Sequence, residues 1–161
     1  MIMLRRSIGA VRSAQIDTGA TLGPLAAFLV LRGIATVAVR MERQARTAMA
    51  LATYLERQDG VRTVTYPGLP SHPQADAAAR ILDTGGAMLS VDLAGGREAG
   101  RAFFDALRIP ERTASLGSVH TMVVHPPTSS HRSLDAGALA AAGITEGLLR
   151  VSVGLEDEAD L

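Results

Sequence analysis

Between residues 36 and 58 the apolar side chains Val37, Met41, Ala45, Ala48, Ala52 and Leu55 recur at spacings of three and four. A stripe of that period lies along one face of an α-helix, so the segment predicts a long amphipathic helix that must bury one side against another layer. Asp59-Gly60 stops it. The next residues determine the covering layer: Val61-Arg62-Thr63-Val64-Thr65-Tyr66 is rich in β-formers and runs into Pro67-Gly68, a strand ending in a turn. A long helix followed at once by a strand points away from a helical bundle and toward helices laid on a sheet.

The rest of the chain continues that alternation. Residues 71–82 return to a helical pattern, 87–93 form a second strand, and 97–107 form a helix whose Phe103, Phe104 and Leu107 face inward. Short strands are expected at 121–125 and 148–153, separated by a helix over 135–142 that Gly143 closes. Few short strands interleaved with helices give an α+β layer, a small antiparallel-type sheet covered by helices on one face and preceded by a long helix. Ahead of it, residues 1–13 are acid-free and helical in pattern, superficially like a targeting presequence but without its long apolar run or cleavage site. Thr21 is placed to cap a further short helix with Pro24 in its first turn, ending at Gly33. Residues 1–35 are read as N-terminal helices at a domain junction, and residues 36–161 as the small domain. The apolar faces of 1–13 and 36–58 are expected to pack on structure outside the chain.

Charge and composition exclude several classes of function. A formal net charge of zero and a pI near 6.9 leave no basic footprint for a polyanion, so nucleic acid is not an expected partner. Arg32 interrupts the most apolar stretch, residues 25–39, which leaves no run long enough to cross a bilayer, and a cytoplasmic protein is expected. The chain has no cysteine, hence no disulfide, thiolate nucleophile or sulfur-ligated metal. All 16 basic residues are arginine. Without lysine no side chain of this sequence can form a Schiff base.

Among the polar residues Arg150 stands out, because it interrupts the apolar strand Leu148-Leu149-Arg150-Val151-Ser152-Val153-Gly154. A guanidinium taken out of water without an anion costs several kcal/mol, so an arginine there requires a carboxylate or phosphate. From spacing alone a structural ion pair within the protein is the first expectation, and capture of a ligand by the planar fork is the second. The acids Glu156, Asp157, Glu158 and Asp160 crowd what reads as the start of another helix, where they complement its dipole. His120, His125 and His131 fall in one window, but separations of five and six share neither a helix face nor a strand face, so no metal site is expected. Ala114-Ser115-Leu116-Gly117-Ser118 is small and flexible enough to bring backbone close to a ligand. No serine sits in a nucleophile elbow, and Gly95-Gly96 lacks a dinucleotide fingerprint.

Several ordered motifs run nearly end to end: Leu31-Arg32-Gly33-Ile34-Ala35-Thr36 with Arg40-Met41, Tyr66-Pro67-Gly68-Leu69-Pro70-Ser71-His72-Pro73, Gly85-Gly86-Ala87-Met88-Leu89-Ser90, Ser115-Leu116-Gly117, His125-Pro126 with His131, and Leu149-Arg150-Val151-Ser152-Val153-Gly154-Leu155-Glu156-Asp157. With these the chain resembles the C-terminal part of the Cys/Met-metabolism family of pyridoxal-phosphate (PLP) enzymes, the cystathionine synthases and lyases, methionine γ-lyases and homoserine sulfhydrylases. The resemblance implies the C-terminal domain of the fold-type I PLP-dependent transferase architecture. It implies that Arg150 binds the α-carboxylate of an amino-acid substrate, with Ser115 and Leu116 at the active-site wall. The cofactor would be pyridoxal 5′-phosphate, held by a large N-terminal domain that also carries the imine-forming lysine. This chain is expected to start beyond that lysine, to hold no catalytic residue of its own, and to be inactive alone. Ser118 and His120 depart from the family's glycine and glutamate, close to where substrate side chains are selected. Expected partners are the amino-acid substrate and either further copies in a homo-oligomer or a large PLP domain. The alternative is a non-catalytic binding or assembly module that pairs with a full-length paralogue.

Overall fold

The computed structural model describes residues 2–161, with side chains described from Ser7 onward, so the apolar side chains of Met1, Ile2 and Leu4 lie outside it. The chain separates into two compact units, one running up to Val37 and the other spanning Ala38–Leu161. The first holds helix α1 (Ile2–Thr18) and helix α2 (Pro24–Ile34). Gly23, not Thr21, occupies the cap position of α2, because Pro24 fills the first helical position and its fixed φ starts the helix there. None of the α2 side chains is buried within this unit, and Leu25, Phe28 and Leu31 are 71%, 58% and 68% exposed. Among the described residues no single helix is long and apolar enough to cross a membrane.

The second unit is built on the expected long helix, α3 (Val37–Leu55). Around it lie strand β1 (Val61–Thr65), helix α4 (Ala75–Ile81), strand β2 (Met88–Leu93), helix α5 (Gly96–Ala106), strands β3 (Glu111–Arg112) and β4 (Met122–Val124), helix α6 (Ala136–Ala141) and strand β5 (Leu148–Ser152). The sheet order is β1-β2-β5-β4-β3. Its pairings are antiparallel except for the two-residue β3, which adds to β4 in parallel and which the sequence pattern did not announce. Helix α4 is shorter than residues 71–82 because Pro73 and the turns around it delay its start. Asp135 caps α6 by accepting the Ala138 N–H at 2.8 Å.

Strand alternation divides the sheet into two chemically different faces. Leu89, Val91, Val123, Leu149 and Val151 join Ala48, Ala52 and Leu55 of α3 in one buried cluster, with Phe103 and Phe104 of α5 and Leu107 packed against it. Complete burial of a leucine such as Leu149, which is 0% exposed, contributes about 1.5–3 kcal/mol. The opposite face carries Ser90, Asp92, Arg150 and Ser152 among Met88, Met122 and Val124. Tyr66, just past β1, fastens α3 to the approach of β2 through its hydroxyl, which lies 3.1 Å from the Ala45 carbonyl and 2.9 Å from that of Gly86. Burial pushes the phenol pKa up. A side chain at Gly85 would stand 2.6 Å from the Tyr66 ring and hydroxyl, so the motifs Tyr66-Pro67-Gly68 and Gly85-Gly86-Ala87 form one packed unit.

Candidate carboxylate-binding site

Arg150 sits in the middle of β5, the central strand, although β5 is the last strand in the chain. Its cross-strand neighbours are Ser90 on β2 and Val124 on β4, so it projects from the polar face of the sheet, opposite the apolar core. One guanidinium nitrogen, Nη2, donates to the Ser115 carbonyl at 3.0 Å. Its Nε is buried and has no hydrogen-bond partner. Among the described residues no carboxylate forms an ion pair with Arg150. The structural ion pair expected from spacing is therefore absent, because the acids of this region are committed elsewhere: Asp92 to Arg62 at 3.0 Å and Glu156 to Thr121. A cation with a buried, unmatched donor suits an anionic ligand, since leaving such a group unsatisfied costs about 1–3 kcal/mol.

The Ser115 carbonyl belongs to a segment, residues 113–120, with no helix or strand of its own. Ser115, Leu116 and His120 are exposed and Ser118 is half-buried. Without regular structure the segment depends on outside contacts. The Gly117 N–H donates to the Ser152 hydroxyl at 3.3 Å, and the Leu155 N–H to the Val119 carbonyl at 2.8 Å. From α3 the amide nitrogen of Gln44 lies 2.8 Å from both the Ser118 carbonyl and the Val153 carbonyl. The Ser118 hydroxyl accepts the His120 N–H at 3.2 Å.

The carboxylate of Glu156 closes one edge of this arrangement. It accepts the Thr121 N–H at 2.6 Å and the Thr121 hydroxyl at 2.8 Å, and that hydroxyl accepts the Gly154 N–H at 2.8 Å. Burial pushes the Glu156 carboxyl up, but the donors from Thr121 and its own backbone outweigh it, with His120 adding to them, and the net pKa is lowered. Gly154 is required for the close approach: a Cβ there would stand 2.5 Å from the Thr121 nitrogen. Beyond it residues 158–160 form a turn, in which the Asp157 carboxylate accepts the Ala159 N–H at 3.0 Å and the Asp157 carbonyl accepts the Asp160 N–H at 3.1 Å.

The remaining sequence candidates have hydrogen-bond partners other than Arg150. His125 is fully buried, with Nδ1 2.8 Å from the Thr128 hydroxyl and Nε2 3.0 Å from the Glu146 carbonyl, which makes it a packing residue. His131 Nδ1 lies 2.9 Å from the neighbouring Ser130 hydroxyl. No group of three or more metal-ligating side chains converges among the described residues. Sequence reasoning missed Ser90, Ser152 and Gln44. Gln44 carried a signal, since it lies three residues after Met41 and four before Ala48, a polar residue on the apolar stripe.

The sequence matches the profile of the Cys/Met metabolism PLP-dependent enzymes over residues 5–161. It is 44% identical over 158 residues to an O-succinylhomoserine sulfhydrylase of Pseudomonas aeruginosa, covering 98% of this chain and 38% of that protein. It is 44% identical over 144 residues to an L-methionine gamma-lyase of Pseudomonas putida, covering 89% of this chain and 36% of that one. Among solved structures, a cystathione gamma lyase from Micromonospora echinospora superposes with a TM-score of 0.88 at 39% identity, over 94% of this chain and 40% of that chain. A cystathionine gamma synthase from Xanthomonas oryzae pv. oryzae, solved with aminoacrylate and cysteine, gives a TM-score of 0.82 at 42% identity, over 89% and 37%. The chain thus spans a little over a third of the length of the curated relatives it matches.

Proposed function

We propose a role for Arg150 from a fixed premise: the chain belongs to the Cys/Met metabolism PLP-dependent enzymes. It supplies the site that grips the α-carboxylate of an amino-acid substrate, in an enzyme that eliminates or replaces groups on sulfur amino acids or O-acylhomoserines. The observation that carries this is the guanidinium on the central strand, with one donor on the Ser115 carbonyl and a buried Nε without a partner. A carboxylate that reaches the fork gains charge-assisted hydrogen bonds of about 1.5–3 kcal/mol each. Ser115 and Leu116 form the wall beside it, and Ser118 and His120, further along the same segment, are placed to influence which side chain is accepted.

The family's cofactor acts as an electron sink once it is joined to the substrate amine. These 161 residues include no lysine to hold it as an imine, so the residues present do not fit covalent attachment of pyridoxal phosphate. The part that falls to this chain is binding and orientation, with catalytic residues and cofactor supplied by another polypeptide segment, and the chain alone is inactive toward amino acids. The exposed apolar helix α2 supports association with a large PLP-binding domain or with further copies. Residues 1–35 act as that junction and residues 36–161 as the small domain, in a cytoplasmic enzyme.

Titration of the 161-residue chain with L-methionine, followed by NMR, tests the carboxylate grip. Shifts centred on Arg150, Ser115 and Ser90 are expected, and binding that is weakened more than tenfold, yet still measurable, in Arg150→Ala. Methional, which lacks both amine and carboxylate, should not bind. Equal binding of L-methionine by the wild type and by Arg150→Ala would refute it.

A further inference from the structure

Arg150 can present its fork only if the Ser115 carbonyl stays where Nη2 meets it at 3.0 Å, yet Ser115 lies in a segment without helix or strand. From α3 the side chain of Gln44 reaches this segment as a hydrogen-bond donor. It is 2% exposed, and its amide nitrogen lies 2.8 Å from two carbonyls, Ser118 of the loop and Val153 immediately after β5. An amide nitrogen carries two hydrogens, so both are used and none is left for a ligand. The two carbonyls belong to the two halves of the candidate site: Ser118 lies three residues after Ser115, and Val153 lies three residues after Arg150. Gln44 therefore spans the gap between the loop that supplies the accepting carbonyl and the strand that supplies the guanidinium.

We infer that Gln44 is a positioning residue for carboxylate recognition: without touching the ligand, it sets the separation between the Ser115 carbonyl and Arg150, and with it the direction in which the free edge of the guanidinium points. The inference rests on the carboxylate-binding role proposed for Arg150. The other fastenings do not duplicate it. The Gly117–Ser152 and Leu155–Val119 hydrogen bonds tie the loop to β5 and its extension, whereas Gln44 alone among these contacts refers both to the rigid long helix. Its place on the apolar stripe of α3 fits this role, because a buried amide is tolerated there only when its donors are satisfied.

The test compares Gln44→Met, which keeps length and approximate volume but removes both donors, with the wild type, Arg150→Ala and the double variant. Two readouts are taken by NMR: the Kd for L-methionine and the Arg150 Nε–H resonance of the free chain. Gln44→Met should weaken L-methionine binding about tenfold, the scale of one hydrogen bond's worth of alignment. It should change affinity by less than about twofold in the Arg150→Ala background, because coupled residues are not additive. The Arg150 Nε–H resonance should move in Gln44→Met before any ligand is added. A residue that only stabilises the fold would lower both backgrounds alike and leave that resonance in place, and either result overturns the inference. If Gln44→Met does not fold, Gln44→Asn, which falls one methylene short, replaces it with the same expectations. Should the wild type bind no L-methionine, the Arg150 role fails, and the resonance in the free chain still decides for or against Gln44.

Discussion

Replacing Glu156 with alanine removes the acceptor for two donors of Thr121, its N–H at 2.6 Å and its hydroxyl at 2.8 Å. Thr121 is 0% exposed, so its N–H is left without a partner. Two charge-assisted hydrogen bonds at about 1.5–3 kcal/mol each would set an upper bound of roughly 3–6 kcal/mol. Glu156 is only half-buried, so water recovers part of this and a net loss of about 2 kcal/mol is expected. For a domain of this length that lowers the melting temperature by about 4–8 °C. The pH dependence separates this account from loss of packing. Because the folded-state pKa of Glu156 is lowered, its contribution is fully present above the unfolded value of about 4.3 and is lost as pH falls through the folded value. Thermal unfolding of the wild type and Glu156→Ala at about pH 7, 5 and 3 should therefore show a gap that is wide at the first two and narrows at the third. A gap that is the same at the lowest pH as at neutrality would refute the carboxylate as its source.

Tyr66→Phe removes the donor shared by the Ala45 and Gly86 carbonyls, and a loss of about 1–3 kcal/mol in chemical denaturation is expected; an unchanged midpoint and slope would contradict it. Gly154→Ala forces a Cβ against the Thr121 nitrogen and should cost about 1–3 kcal/mol as backbone shifts to make room, read by the same denaturation. Leu25, Phe28 and Leu31 of α2 are more than half exposed, so the isolated chain should self-associate as concentration rises. A single monomeric species in light scattering across the accessible range would count against that.

Much of the second unit can be read from period alone. The three-and-four spacing between Val37 and Leu55 gives α3, and the β-rich runs at 61–65, 88–93, 122–124 and 148–152 are found as strands. One miss depends on a contact distant in sequence. The two residues of β3 are extended because β4 offers them a parallel edge, which no local pattern encodes. Pro24 displaced the expected cap from Thr21 for a local reason that the sequence did contain.

Arg150 shows how far each kind of inference reaches. Spacing established that a charge interrupts an apolar strand, and desolvation required a partner for it, but neither could distinguish an internal acid from a ligand. That distinction depends on register: β5 pairs with β2 and β4, placing Ser90 and Val124 beside Arg150, with no acid in either position. The nearby acids, Asp92 and Glu156, are both occupied, by Arg62 and Thr145 in one case and by Thr121 in the other. Neutralising the charge from within the protein would require breaking one of these arrangements and leaving another buried group unmatched, at a cost comparable to the gain. The lower-cost partner is an anion from outside these residues, and the carboxylate grip proposed above takes that anion to be the substrate's.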